Sequence, residues 1–293
     1  MTPLRQRFVE DMQLRNFSPG TQRSYVHHVA AFARYFGHSP ELLDLEAVRQ
    51  YQLYLLQERA LSTSTLNTFT SAVSFLYLTT LEMPWSKQDF TRTRVESRLP
   101  IVPSPDEVRR LFDHIPGIKN RAALMLCFGA GLRVSEAVNV QISHIDSARM
   151  LLRVEQGKGA KDRYTVLSPA LLQILRTYYR IVRPAGAYLF PSWRPDRHIS
   201  SGVLQRACHE AWQLAGLPKR ITPHGLRHAF ATCLLDSGVD TRVIQALLGH
   251  SRIDTTARYT AVSPAKIATT ASPLEQLLIH PRPRGGHPRP AQA

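Results

Sequence analysis

The chain has 293 residues, more than one typical domain, so two domains are the natural expectation. Hydrophobic residues make up 43%, enough for real cores and too many for a disordered chain. Lys and Arg outnumber Asp and Glu by 37 to 22, and a formal charge of +15 favours a polyanionic partner, nucleic acid before acidic membrane.

Residues 1–81 read as a small helical bundle with short connections. Ser18-Pro19 is a helix start: Ser caps, and Pro sits where its missing N–H costs nothing. Tyr25, Val29, Phe32 and Phe36 then recur at helical spacing and give one apolar stripe. Asp44 can cap the next helix, with Leu45, Val48, Leu53 and Leu56 expected on its inner side. Ser62 or Thr63 opens another, carrying Leu66, Phe69, Val73, Leu76 and Tyr77.

Residues 82–103 hold Pro84, Pro100 and Pro103 and no sustained period, which reads as an interdomain linker. A second domain, 104–280, opens at Ser104-Pro105-Asp106-Glu107, where Ser104 and Glu107 stand at capping-box spacing. It is mainly helical with one β element: residues 150–154 and 163–167 favour strands around the glycine-punctuated turn 156–162. Helical patterns resume over 169–182, over 200–215 and from Pro223. The tail 281–293, rich in Pro, Gly and Arg, cannot bury a core and is expected to be disordered. The longest apolar run, 122–132, ends at Arg133, short of the roughly 20 residues of a membrane span. The N-terminus lacks the apolar core of a signal peptide. Cys127, Cys208 and Cys233 fit no metal spacing and read as small core residues of a cytoplasmic, reduced protein.

Four stretches bear on chemistry. Thr222 can cap and Pro223 can start a helix, so His224 and Arg227 share a face one turn apart. A helix N-terminus also favours an anion, although an ordinary polar surface turn fits as well. The glycine-rich turn 129–132 delivers Arg133, whose guanidinium suits bidentate phosphate contact or a salt bridge to Glu136. Glu136 reads as a support that orients basic groups. Lys158 lies between Gly157 and Gly159 at the turn tip, either as a reaching cation or as a solvated lysine, with Lys161 as competitor. Gly249 closes a helix opened by Asp240 or Thr241, His250 follows, and Asp254 can cap a short helix that reaches Tyr259. Taken alone, Tyr259 could equally be a half-buried aromatic.

The joint order of these residues resembles the tyrosine recombinase, or phage integrase, family. The boxes GLRVSE, GKGAKDR, TPHGLRHAFAT and LLGHSRIDTTARY are similar to its Xer-like branch. The likeness covers about 104–259, and extends more weakly to 1–81, which is similar to the family's SAM-like core-binding domain. His250 stands where some members carry Trp. The resemblance implies a helical core-binding domain and a mostly α-helical catalytic domain with a small antiparallel sheet. It implies a site-specific recombinase in which Tyr259 attacks DNA to form a 3′-phosphotyrosine. Arg133, Arg227 and His250 would bind the phosphate, His224 would act as base, and Lys158 would protonate the leaving group. It implies no cofactor and no metal. The partner is a double-stranded DNA recombination site, clamped between the two domains by a homo- or hetero-tetramer, with no membrane involved. Residues 263–279, too short an apolar pattern to stand alone in water, would dock either on their own domain or, as the resemblance implies, into a neighbouring protomer. A type IB topoisomerase shares the covalent chemistry, and a DNA-binding protein without catalysis is the other alternative.

Overall fold

The computed structural model describes residues 2–94, 102–155, 162–249 and 272–275. The chain divides into two compact units, 1–98 and 99–293. Among the described residues no helix is long and apolar enough to cross a membrane.

The first unit is built from α1 (Pro3–Leu14), α2 (Pro19–Phe36), α3 (Leu45–Gln57) and α4 (Thr63–Phe75), and α4 runs on into a π turn at Leu76–Thr80. Side-chain caps open all four helices: the oxygens of Thr2, Ser18, Asp44 and Ser62 each accept a backbone N–H in the first turn. The α4 helix is central because both of its sides are apolar. Leu66, Phe69, Val73 and Tyr77 face Phe32, Tyr51 and Leu55, whereas Ala72 and Leu76 face Phe8, Met12 and Val29.

The structure corrects the expected inner face of α3. Leu53 and Leu56 are 37% and 43% exposed, and the buried positions are Ala47, Val48, Tyr51 and Leu55. At about 100° per residue, Leu53 lies roughly 140° round the helix from Val48, too far to share its face. The stretch expected as a linker, 82–103, is not a free connection as far as Thr93. Met83, Trp85 and Phe90 pack on the first core. Asn67 exchanges two hydrogen bonds with the Thr93 backbone, at 2.8 and 3.0 Å. Apolar aromatic side chains outweigh the loop-like composition there.

The second unit opens with α5 (Pro105–Asp113), and the Ser104–Glu107 capping box forms as expected. Then come α6 (Ile118–Gly129) and α7 (Val134–Val138). An antiparallel sheet of β1 (Ile145–Asp146), β2 (Leu151–Val154) and β3 (Arg163–Val166) follows, in the order β1-β2-β3 with Leu152 opposite Thr165. The last helices are α8 (Pro169–Val182), α9 (Ser201–Leu214), α10 (Pro223–Asp236) and α11 (Thr241–Leu248). The two-residue β1 is too short to show as alternation in the sequence. The α6 helix is buried along most of its length among α8, α9 and α10, and so serves as the axis of the unit. Cys127 and Cys208 are buried and Cys233 is half-buried, all three free thiols. The expected tail, 281–293, lies outside the described residues.

Candidate active site

The site grows from the end of α6. Its apolar residues stop at Gly129, and the chain turns through Ala130, Gly131 and Leu132 to Arg133. Gly131 has φ +66°, and a Cβ there would also meet the Phe230 ring at 2.6 Å, so conformation and space both require glycine. Arg133 holds the N-cap position of α7. Its backbone N–H donates to Glu136 Oε2 at 2.8 Å, and its Nη1 meets Oε1 at 2.7 Å. The ion pair that sequence spacing allowed therefore forms.

Two more guanidiniums converge on the same carboxylate. Arg163, the first residue of β3, bridges Glu136 bidentately, at 2.9 Å to Oε1 and 2.7 Å to Oε2. Its Nε donates to the Leu247 carbonyl at 2.8 Å. Arg227, one turn into α10, places Nη1 3.5 Å from Glu136 Oε2. It also donates to the carbonyls of Gly131 at 2.8 Å and Leu248 at 2.6 Å. Burial by itself raises the Glu136 pKa, but the hydrogen bonds and charge of Arg163, with those of Arg133, outweigh it and hold the carboxyl at about 2. Burial, then Arg133, lowers the Arg227 pKa to about 10, which leaves it cationic at neutral pH. One carboxylate and three cations leave two positive charges in surplus at this end of the unit. Arg227 is only 3% exposed and Arg163 is nearly as deep, whereas the Arg133 side chain is 24% exposed and most open to an incoming anion.

Thr222 caps α10 and Pro223 starts it, as the sequence indicated. His224 therefore sits in the first turn, exposed, with its ring 4.4 Å from that of His228 in a T-shaped pair. Partial desolvation, followed by the charges of His228, Arg227 and Arg133, lowers the His224 pKa. The neutral ring favoured in this way can accept a proton.

Models of two families match the chain: the phage integrase family over residues 103–266, and the phage integrase N-terminal SAM-like domain over 4–87. The chain belongs to the phage integrase family. An integrase/recombinase of Sinorhizobium fredii is 47% identical, covering 97% of this chain and 91% of the relative. The tyrosine recombinase XerA of Thermococcus onnurineus is 35% identical over 86% of this chain and 88% of its own length. Among solved structures, a lambda integrase dimer bound to a COC′ core site gives a TM-score of 0.67 at 19% identity, covering 89% of this chain and 98% of that one. The XerH recombinase bound to difH gives 0.66 at 20%, covering 86% and 80%. These two likenesses establish the fold. The chain is thus a tyrosine-type site-specific DNA recombinase of the Xer-like branch, and neither the topoisomerase reading nor the non-catalytic one is favoured.

Of the six residues expected at the recombinase site, Arg133 and Arg227 meet on Glu136, and His224 lies near enough to feel the charge of both arginines. Lys158, His250 and Tyr259 lie outside the described residues. The chain nevertheless enters two of these stretches from the cluster itself. Arg163 follows the Lys158 segment directly, and Gly249, just before His250, accepts from Arg133 Nη2 at 3.3 Å. A Cβ on Gly249 would meet Arg163 Cδ at 2.8 Å, so that glycine admits the arginine. Sequence reasoning missed Arg163. Its signals were its place at the end of the GKGAKDR box and at the start of a strand whose later positions, Thr165 and Val166, are buried. A groove of about 540 Å³ along α8, by Leu172, Leu175, Arg176 and Tyr179, is lined by none of these residues.

Proposed function

We propose that this end of the second unit is the DNA-cleaving site and that Tyr259 is its nucleophile. The observation that carries the reading is the Arg133–Arg163–Arg227 cluster on Glu136, with His224 one turn from Arg227. Phosphodiester attack builds negative charge on the non-bridging oxygens, and preorganised cations in a partly dry site stabilise that charge most. Arg133 would take the scissile phosphate directly. Arg227 would add charge from beneath, and a bond from it to a second oxygen requires one of its carbonyl contacts to yield. His224 would receive the Tyr259 proton, since a phenol with an ordinary pKa of about 10 needs a base or a strong positive field. The tyrosine oxygen bonds to phosphorus as the bond to the 5′ oxygen breaks. Lys158 would protonate that oxygen, and His250 would hydrogen-bond the phosphate. A 5′-hydroxyl from a second strand reverses the step and completes exchange.

The DNA partner is a double-stranded recombination site, in keeping with the +15 charge and with the DNA-bound lambda integrase and XerH structures. Assembly is as a tetramer on two paired sites. Tyr259→Phe removes the nucleophile and leaves phosphate contacts spread over both units. Gel shift should therefore report unchanged DNA affinity, and denaturing gels of a suicide substrate should report no covalent adduct. An adduct that persists in this variant assigns the nucleophile elsewhere.

A further inference from the structure

Three consecutive carbonyls lead into Arg133, and each is taken by a side chain from a different part of the second unit. Gly129 O accepts from Ser272 Oγ at 2.6 Å. Ala130 O accepts from Thr165 Oγ1 at 2.8 Å, and Gly131 O from Arg227 Nη1 at 2.8 Å. The final carbonyls of a helix have no intrahelical partner, so donors of this kind decide how α6 ends. Ser272 and Thr165 are 1% and 0% exposed, out of reach of competing water.

Ser272 belongs to a short anchor that follows the nucleophile in the chain. Its Oγ accepts the Leu274 N–H at 3.3 Å, which leaves the hydroxyl proton for Gly129. Leu274, 1% exposed, lies on Gly129 so closely that an added Cβ would come within 3.2 Å of its Cδ2. Glu275 accepts the Ala170 N–H at 3.1 Å, one of the unpaired donors at the start of α8. Residues 272–275 thus dock on their own unit, and the rest of 263–279 lies outside the described residues.

We propose that Ser272 is a positioning residue for DNA cleavage: by fixing the Gly129 carbonyl it sets where the turn delivers the Arg133 guanidinium. The proposal rests on the reading of Arg133 as a phosphate ligand. Only Ala130, Gly131 and Leu132 separate the pinned carbonyl from the arginine, so a displaced helix end is passed on with little room to absorb it. Misplacing a catalytic group by about 1 Å can cost about 10²-fold in rate.

The test uses the full chain and single-turnover adduct formation on suicide DNA at saturation. Ser272→Ala should slow adduct formation about 10-fold or more, with the dissociation constant for DNA changed by less than about twofold. On DNA carrying a methylphosphonate at the scissile position, one non-bridging oxygen and one negative charge are gone, so less charge needs neutralising in the transition state. There the Ser272→Ala and Arg133→Ala defects should both shrink to within about threefold. A parental cleavage rate in Ser272→Ala, or a defect equally large on both substrates, overturns the positioning role. A parental rate in Arg133→Ala overturns the phosphate-ligand reading instead. A second pair covers a Ser272 variant that fails to fold. Gly129→Ala should crowd Leu274 and slow cleavage, and adding Leu274→Ala should recover part of the rate. No recovery in the double variant also overturns the proposal.

Discussion

The two units each bury a polar side chain, and they do so on opposite lines. In the first, Tyr77 is fully buried beside Trp85, with ring centroids 4.6 Å apart. Its hydroxyl lies 2.8 and 3.0 Å from the carbonyls of Pro40 and Leu43, and burial raises its pKa, so the group stays neutral. In the second, Glu136 is charged and almost as deeply buried, surrounded by cations. A neutral polar group in an apolar setting needs one partner and then adds modestly to stability. A charge-rich cluster is stable only when complete, and its surplus charge is available for a ligand. The first arrangement suits a scaffold and the second a reaction site.

The comparison is broken most severely at Glu136. Glu136→Ala leaves three guanidiniums facing one another without a counter-charge. Removing one partner of a buried ionic network costs about 3–5 kcal/mol, so the urea midpoint should fall accordingly, together with loss of cleavage. A variant of parental stability would mean the arginines do not depend on the carboxylate.

Acid titration gives a graded version of the same perturbation. Glu136 has a folded pKa of about 2 against an ordinary 4.5, so it contributes stability that is fully present above pH 4.5. That contribution is lost as pH falls from 4.5 towards 2, up to about 3 kcal/mol for a shift of this size. Urea melts across that window should show the loss, and Glu136→Gln should flatten its slope. An unchanged slope in the glutamine variant would assign the acid sensitivity to other carboxylates.

The mildest change is Tyr77→Phe. It removes the one proton shared by the Pro40 and Leu43 carbonyls, of which Pro40 keeps the Leu43 N–H, a cost of about 1–3 kcal/mol. Thermal melts should shift down while the cleavage rate at saturating DNA stays parental. A cleavage defect would show that the two centres are coupled.

Much of this was legible in the sequence because the signals were local. Ser18, Asp44, Ser62, Ser104, Thr222 and Asp240 cap the helices that their positions announce. Gly131 and Gly249 turn the chain where a left-handed residue was needed. The apolar face of α3 was misjudged because four leucines and a valine offer more than one stripe, and only packing selects Tyr51 and Leu55 over Leu53 and Leu56. Arg163 and Ser272 were illegible for a different reason. Arg163 meets a carboxylate 27 positions away, and Ser272 meets a carbonyl 143 positions away. No periodicity or cap marks a residue whose role is set by a partner so distant.

Those separations have a consequence for how the molecule is made. The carbonyls of 129, 130 and 131 find their donors 143, 35 and 96 residues further along the chain. A growing polypeptide emerges from its N-terminus, and contacts of long sequence separation close last. The first unit can therefore be complete while the turn that bears Arg133 still has all three carbonyls unclaimed. That turn reaches its final geometry only after residue 272 has been synthesised, by which time Tyr259 is already part of the chain. During synthesis, then, the residue proposed as nucleophile is made before the turn that orders Arg133 is complete.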